Sequence, residues 1–160
     1  MTDAWLPAGF DHPRRVDLVD GVHLRPIRAE DVDIDMVTVM ANRDMLWAMY
    51  GEAWEWPPAD MTHEQDREDL ARHAREMEAH ESFNYAVLTS AEDRLLGCVY
   101  IDPLPAGSDG QPAAEVSWWI AADAPKPWRA ALDAFVPRWI ASAWPFGEVS
   151  TPFQHPRSGA

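Results

Sequence analysis

The stretch Ala114–Ile120, Ala-Glu-Val-Ser-Trp-Trp-Ile, constrains this chain more than any other. It reads as a buried strand. The residues after it, Ala121-Ala-Asp-Ala-Pro-Lys-Pro-Trp-Arg129, lead into a helix. Strand, loop and helix in that order are where many α/β enzymes cradle a phosphate on backbone N–H groups. This loop holds no glycine, and Pro125 and Pro127 have no N–H to donate. The chain thus joins an enzyme-like framework to a weakened anion site.

The 160 residues fit one domain with a real core. At 47% hydrophobic and 25% charged the composition is globular. No apolar run reaches a membrane span, and Met1-Thr-Asp-Ala-Trp-Leu6 lacks the features of a secretory signal. One cysteine, Cys98, excludes an internal disulfide and reads as a small core residue. These features together point to a cytoplasmic protein. The formal charge is −14, from 27 acidic and 13 basic side chains. Such a field repels nucleic acid and anionic membranes and favours a cationic substrate or basic partner. The plainer reading is that acidity keeps the chain soluble. Nine tryptophans supply core residues and, for some of them, pocket walls.

Residues 1–15 read as a flexible arm, 16–153 as a single domain and 154–160 as a tail. Alternating apolar residues around Asp20-Gly21 predict a hairpin of Val16–Val19 and Val22–Ile27, with Pro26 at an edge or exit position. Glu30 to about Tyr50 has helical spacing, with Glu30, Asp31, Asp33 and Asp35 in its first turns and Gly51 as its stop. An aromatic and acidic loop, Glu52–Pro58, follows. Thr62 and Gln65 have capping-box spacing and open a helix to about His80, whose narrow apolar stripe leaves most of it facing water. Phe83–Leu88 and Arg94–Ile101 are strands around a turn at Ser90–Asp93. Helical spacing resumes from Trp128 to Ala143, with Pro137 as a kink or restart. Val149–Phe153 is a last short strand.

This order, β, β, α, α, β, β, β, α, β, resembles the GNAT superfamily of acyl-CoA-dependent N-acetyltransferases. Val22-His-Leu-Arg-Pro-Ile-Arg-Ala-Glu-Asp31 looks like the family's first strand entering its first helix. Leu95-Leu-Gly-Cys-Val-Tyr100 looks like its third strand. Ala114–Ile120 looks like its fourth, as found in the ribosomal-protein-acetylating branch. The resemblance implies an α/β fold with a mixed, mostly antiparallel central sheet flanked by helices. It implies acetyl-CoA as cofactor, with main-chain groups near Trp118, Trp119 and Ile120 meeting the pantetheine arm. Without a glycine-containing loop, Lys126 and Arg129 would bind phosphate in its place, or merely cap a surface loop. Family members continue past the fifth strand into a further helix and strands. Here the sequence stops at Ala160, which implies that those elements are missing or that a homodimer partner covers the edge strand.

Glu115 is the candidate general base for an ammonium acceptor, acting directly or through water, or else an edge carboxylate in solvent. The resemblance places Glu52, Trp54, Glu55 and Trp56 over the acceptor pocket, as aromatic faces and counter-charges for a cation. The other reading packs the tryptophans on the core. His73, Glu76 and His80 share a helical face, but the spacing does not make a metal site, and none is expected. The reading is an acetyl-CoA-dependent N-acetyltransferase acting on a primary amine by direct transfer. Its alternatives are a GNAT-fold binding module that has lost CoA binding and a structural dimer.

Overall fold

A computed structural model describes residues 4–154. Strands β1 (Val16–Val19) and β2 (Val22–Pro26) form the expected hairpin. Gly21 sits at φ 86, the left-handed conformation this turn requires. Pro26 is the exit residue of β2. A single 3-10 turn at Ala29–Asp31 leads into helix α1 (Val32–Ala41). Asp31 closes that turn by accepting from the Arg28 N–H at 2.9 Å, and Arg25 clasps the same carboxylate from β2.

The helix expected from Glu30 to Tyr50 is two helices. α1 stops at Asn42, and α2 runs over Arg43–Trp54. The Asn42 side chain donates to the Thr38 carbonyl at 2.8 Å and accepts from the Ala122 N–H at 2.9 Å. A side chain that bonds backbone in this way breaks the helix it sits in. Gly51 is not a stop: it lies inside α2, where a Cβ would come within 2.7 Å of the Trp47 ring. The helix ends at Glu55, in the left-handed conformation at φ 51. Glu52 and Trp54 are therefore helical rather than loop residues.

Helix α3 (His63–Glu78) opens on the expected capping box: Gln65 N–H donates to Thr62 Oγ1 at 3.1 Å, and Thr62 N–H donates to Gln65 Oε1 at 2.9 Å. Strands β3 (Phe83–Thr89), β4 (Leu95–Leu104) and β5 (Ala113–Ile120) follow, then helix α4 (Lys126–Ala143) and strand β6 (Glu148–Ser150). α4 continues through Pro137. β6 is shorter than the expected Val149–Phe153; Pro152 has no ladder N–H, and the chain turns into a 3-10 turn, Pro152–Gln154.

The sheet order is β1-β2-β3-β4-β5-β6, antiparallel through β5, with β6 parallel to β5. α1 packs on β4 and α3 on β3 on one face. α4 covers the other, where Trp139 meets Tyr85 edge-on at 5.0 Å and Trp118 Nε1 donates to Asp133. Residues 4–15, read as an arm, lie along the core. Leu6 and His12 are buried, and Trp5 Nε1 donates to the Ala113 carbonyl while its ring stacks on Phe146. The tail from residue 155 onward lies outside the described residues. Among the described residues, no helix is long and apolar enough to cross a membrane.

Candidate functional site

A cavity of about 560 Å³ lies between α3 and the α1-side face of the sheet, and the α2–α3 connection closes it. Seven of its lining side chains carry carboxyl groups, against two basic ones, Arg72 and His73. Trp54, Trp56 and Tyr100 form an aromatic wall. Tyr50 braces that wall from behind, with its ring stacked on Trp54 at 4.3 Å and 7° and its hydroxyl donating to Ser117 Oγ at 3.1 Å.

The strand register brings the chemistry together. Asp102 on β4 lies directly opposite Glu115 on β5. Like charges facing each other across a ladder destabilise a sheet. Ser82 Oγ donates to Asp102 Oδ1 at 2.7 Å. Burial raises the Asp102 carboxyl above its ordinary value; the Ser82 hydrogen bond opposes the shift and the charge of Glu115 adds to it. A carboxylate made more basic in this way suits proton abstraction.

Along α3, Asp66, Asp69, His73 and Glu76 recur at i, i+3, i+7 and i+10, which places them on one helical face, the face that lines the cavity. This is the polar complement of the apolar stripe, so the helix has a second inward face that the sequence reading assigned to water. Asp35 of α1 meets Asp66 at the deep end. Burial raises the Asp35 carboxyl well above its usual range, and the neighbouring Asp66 adds to the shift; burial raises Asp66 as well. Burial, with Arg72 beside it, lowers His73 to about 4, so the ring is neutral at physiological pH. Arg72 is engaged by Asp69 at 3.0 Å and Glu76 at 3.5 Å.

The sequence candidates divide. Glu115, Trp54, Glu55 and Trp56 line this cavity; Glu52 is exposed on α2 and does not. Asp35, Asp66, Asn84 and Asp102 line it as well, although the sequence reading did not single them out. His80 lies beyond α3, turned by a left-handed φ of 56 to pack against Phe83 and His12, so it does not join His73 and Glu76. Among the described residues no cluster fit for a metal forms.

The strand end expected to meet the cofactor is buried, and the loop after it, though largely exposed, has main-chain groups bonded within the protein. Trp118, Trp119 and Ile120 are buried. Trp118 N–H donates to Gln154 Oε1 at 2.9 Å, and its carbonyl accepts from Gln154 Nε2 at 3.1 Å. Trp119 Nε1 donates to the Tyr100 hydroxyl. In the loop, Ala121 N–H donates to Leu96 O at 2.7 Å, Ala122 N–H to Asn42, and Ala124 N–H to Ala121 O at 3.0 Å. Arg129 Nη2 donates to the Ala121 carbonyl at 3.1 Å, and Asp123 pairs with Arg94. Lys126, the first residue of α4, is exposed.

A family model for the acetyltransferase (GNAT) domain matches residues 22–142. No curated protein matches the chain. Among solved structures, the fold is similar to an apo form of RimL, a ribosomal L7/L12 alpha-N-protein acetyltransferase. The TM-score is 0.58 at 14% identity, over 85% of this chain and 70% of that one. It is equally similar, at 0.58 and 11% identity over 81% and 70%, to an acetyl transferase from Salmonella typhimurium that modifies the N-terminal serine of L7/L12. Apo FdhC, a nucleotide-linked sugar GNAT, gives 0.53 at 11% over 86% and 69%. The layered sheet is thus of the fold these acetyltransferases share. This chain belongs to the GNAT acetyltransferase family.

Proposed function

We infer that this chain is an N-acetyltransferase whose acceptor is a primary amine held in the acidic cavity. The observation that carries this reading is the Asp102–Glu115 pair, opposed across β4 and β5 on the wall of an anionic, aromatic cavity. An amine arrives as ammonium. The carboxylates and the tryptophan faces hold that cation. Glu115 or Asp102 then takes a proton from the nitrogen, directly or through water, and frees its lone pair for attack. Acetyl-CoA, the donor the family implies, supplies a thioester-activated acetyl group when bound.

The loop after β5 does not fit a pyrophosphate. Three of its amides donate inside the protein, two of its residues are prolines, and Arg129 is turned onto a loop carbonyl. That misfit, with the Gln154 cap on Trp118, favours a second reading: a GNAT-fold module that binds an amine without using CoA.

Calorimetric titration with acetyl-CoA, followed by thiol release in the presence of amines, separates the two. Saturable binding, with turnover that falls at least about 100-fold in Glu115→Gln or Asp102→Asn while the melt is unchanged, supports the enzyme. Undiminished turnover in both variants removes the assigned base. Absence of acetyl-CoA binding selects the binding module.

A further inference from the structure

Six of the seven carboxyl groups that line the cavity fall into two sets, one toward each pole of the inward face of α3, and the seventh is Glu55. At the deep pole Asp35 and Asp66 lie together, 4% and 2% exposed, with Asp69 beside them. At the other pole are Asp102, Glu115 and Glu76. Ten residues of α3 separate Asp66 from Glu76, an axial rise of about 15 Å. Strand β4 gives a similar span: Cys98, which feels the charge of Asp35 and Asp66, is four residues from Asp102, or about 14 Å. Between the poles stands Asn84, paired in register with Tyr100. Its side chain is 4% exposed and lines the cavity, and its Oδ1 receives no hydrogen bond among the described residues. Asp66 Oδ2 is likewise without a donor. Buried acceptors left unmatched are expensive, and both residues belong to the lining of this cavity. Among the described residues, neither Asp35, Asp66, Asp102 nor Glu115 has a basic partner in an ion pair; Arg72 serves Asp69 and Glu76.

We propose that this cavity binds a linear polyamine: a flexible chain with an ammonium at each end and a protonated nitrogen between them. The end groups sit at the Asp35–Asp66 and Asp102–Glu115 poles, the inner N–H donates to Asn84 Oδ1, and the methylenes run along Trp54, Trp56 and Tyr100. A single ammonium, such as a peptide N-terminus, satisfies one pole only. The proposal rests on reading this cavity as the amine site, but does not require acetyl transfer.

Calorimetry on the full chain without acetyl-CoA tests it, with spermidine, spermine, putrescine, butylamine and a lysine-rich peptide as probes. Spermidine or spermine should bind at least about tenfold more tightly than putrescine, and butylamine more weakly still, since each added charged hydrogen bond carries a factor of that order. Asp66→Asn and Asn84→Ala should each weaken spermidine about tenfold, and thermal melts identify any variant that does not fold. Equal affinity for spermidine and butylamine overturns the proposal. So does spermidine binding that neither folded variant weakens, or a peptide that binds where spermidine does not. Polyamine binding without acetylation would keep this inference and sink the enzyme reading. Acetylation of monoamines as fast as of spermidine would do the reverse.

Discussion

Gly97 on β4 is paired with Ile120, the last residue of β5, beside the loop that leads into α4. A Cβ there would stand 2.0 Å from the Trp119 carbonyl oxygen and 2.9 Å from Ile120 Cα, both of them backbone atoms. Ordinary contact begins at 3.4 Å, so Gly97→Ala forces the strands apart by about 1.4 Å. The Ala121 N–H to Leu96 carbonyl bond, 2.7 Å long, then stretches to about 4.1 Å and breaks. Losing that buried bond costs about 1–2 kcal/mol, and the overpacking adds about 1–2 more. Gly97→Ala should therefore lower stability by about 3 kcal/mol. With a urea slope of about 2 kcal/mol/M, the midpoint drops by about 1.5 M. Gly9→Ala, with nothing within 4 Å of its Cβ, serves as the control and should be near neutral. A Gly97→Ala midpoint within about 0.3 M of the wild type, at unchanged slope, would refute the reasoning.

Three further outcomes follow from the same packing. Gln154→Ala strands the Trp118 N–H and carbonyl; it should cost about 1–2 kcal/mol in urea melts and shift the Trp118 amide resonance, and it should tighten acetyl-CoA binding in calorimetry, since weaker binding would make Gln154 a ligand rather than a plug. The Arg25 hydrogen bond, then that of His23, holds Glu92 down at about 2 against 4.5 unfolded, so its contribution is full above pH 4.5 and is lost as pH falls toward 2; after allowance for its exposed side, Glu92→Gln should lose about 2 kcal/mol at pH 7 and flatten the acid limb of stability against pH. Asp35 has the opposite sign: its raised folded value makes its contribution complete only below the ordinary carboxyl range and lost as pH rises, so Asp35→Asn should melt higher than wild type at pH 7, and a lower melting temperature would contradict the burial argument.

What was legible in the sequence was local. Asp20-Gly21, the Thr62–Gln65 box and the turn before Arg94 each carry their cause within four residues, and each forms where expected. The residue types of Trp54, Glu55, Trp56 and Glu115 could be read from the sequence, and the structure brings all four to the lining of one cavity. Asn42 was not, because its helix-breaking partner, Ala122, is eighty residues away. Asp35 and Asp102 were not, because only the strand register and the placing of α1 and α3 turn them toward one space. The i, i+3, i+7, i+10 run on α3 was visible in the sequence, and a search for ionisable stripes as well as apolar ones would have found it.

The sheet closes on its weakest pair. β6 has three residues, all exposed, and is joined to β5 by the sheet's single parallel ladder, which links Ala113 to Glu148 across the whole of α4. Parallel pairing is weaker per residue, and a loop that long is entropically slow to close. Both terms make this edge weaker than the antiparallel strands beside it. Pro152–Gln154, which masks the main chain of β5, hangs from that edge. Lifting Gln154 off Trp118 would also draw Phe153 away from the Tyr50 and Trp54 rings, so the mask on β5 is tied to the aromatic wall of the cavity.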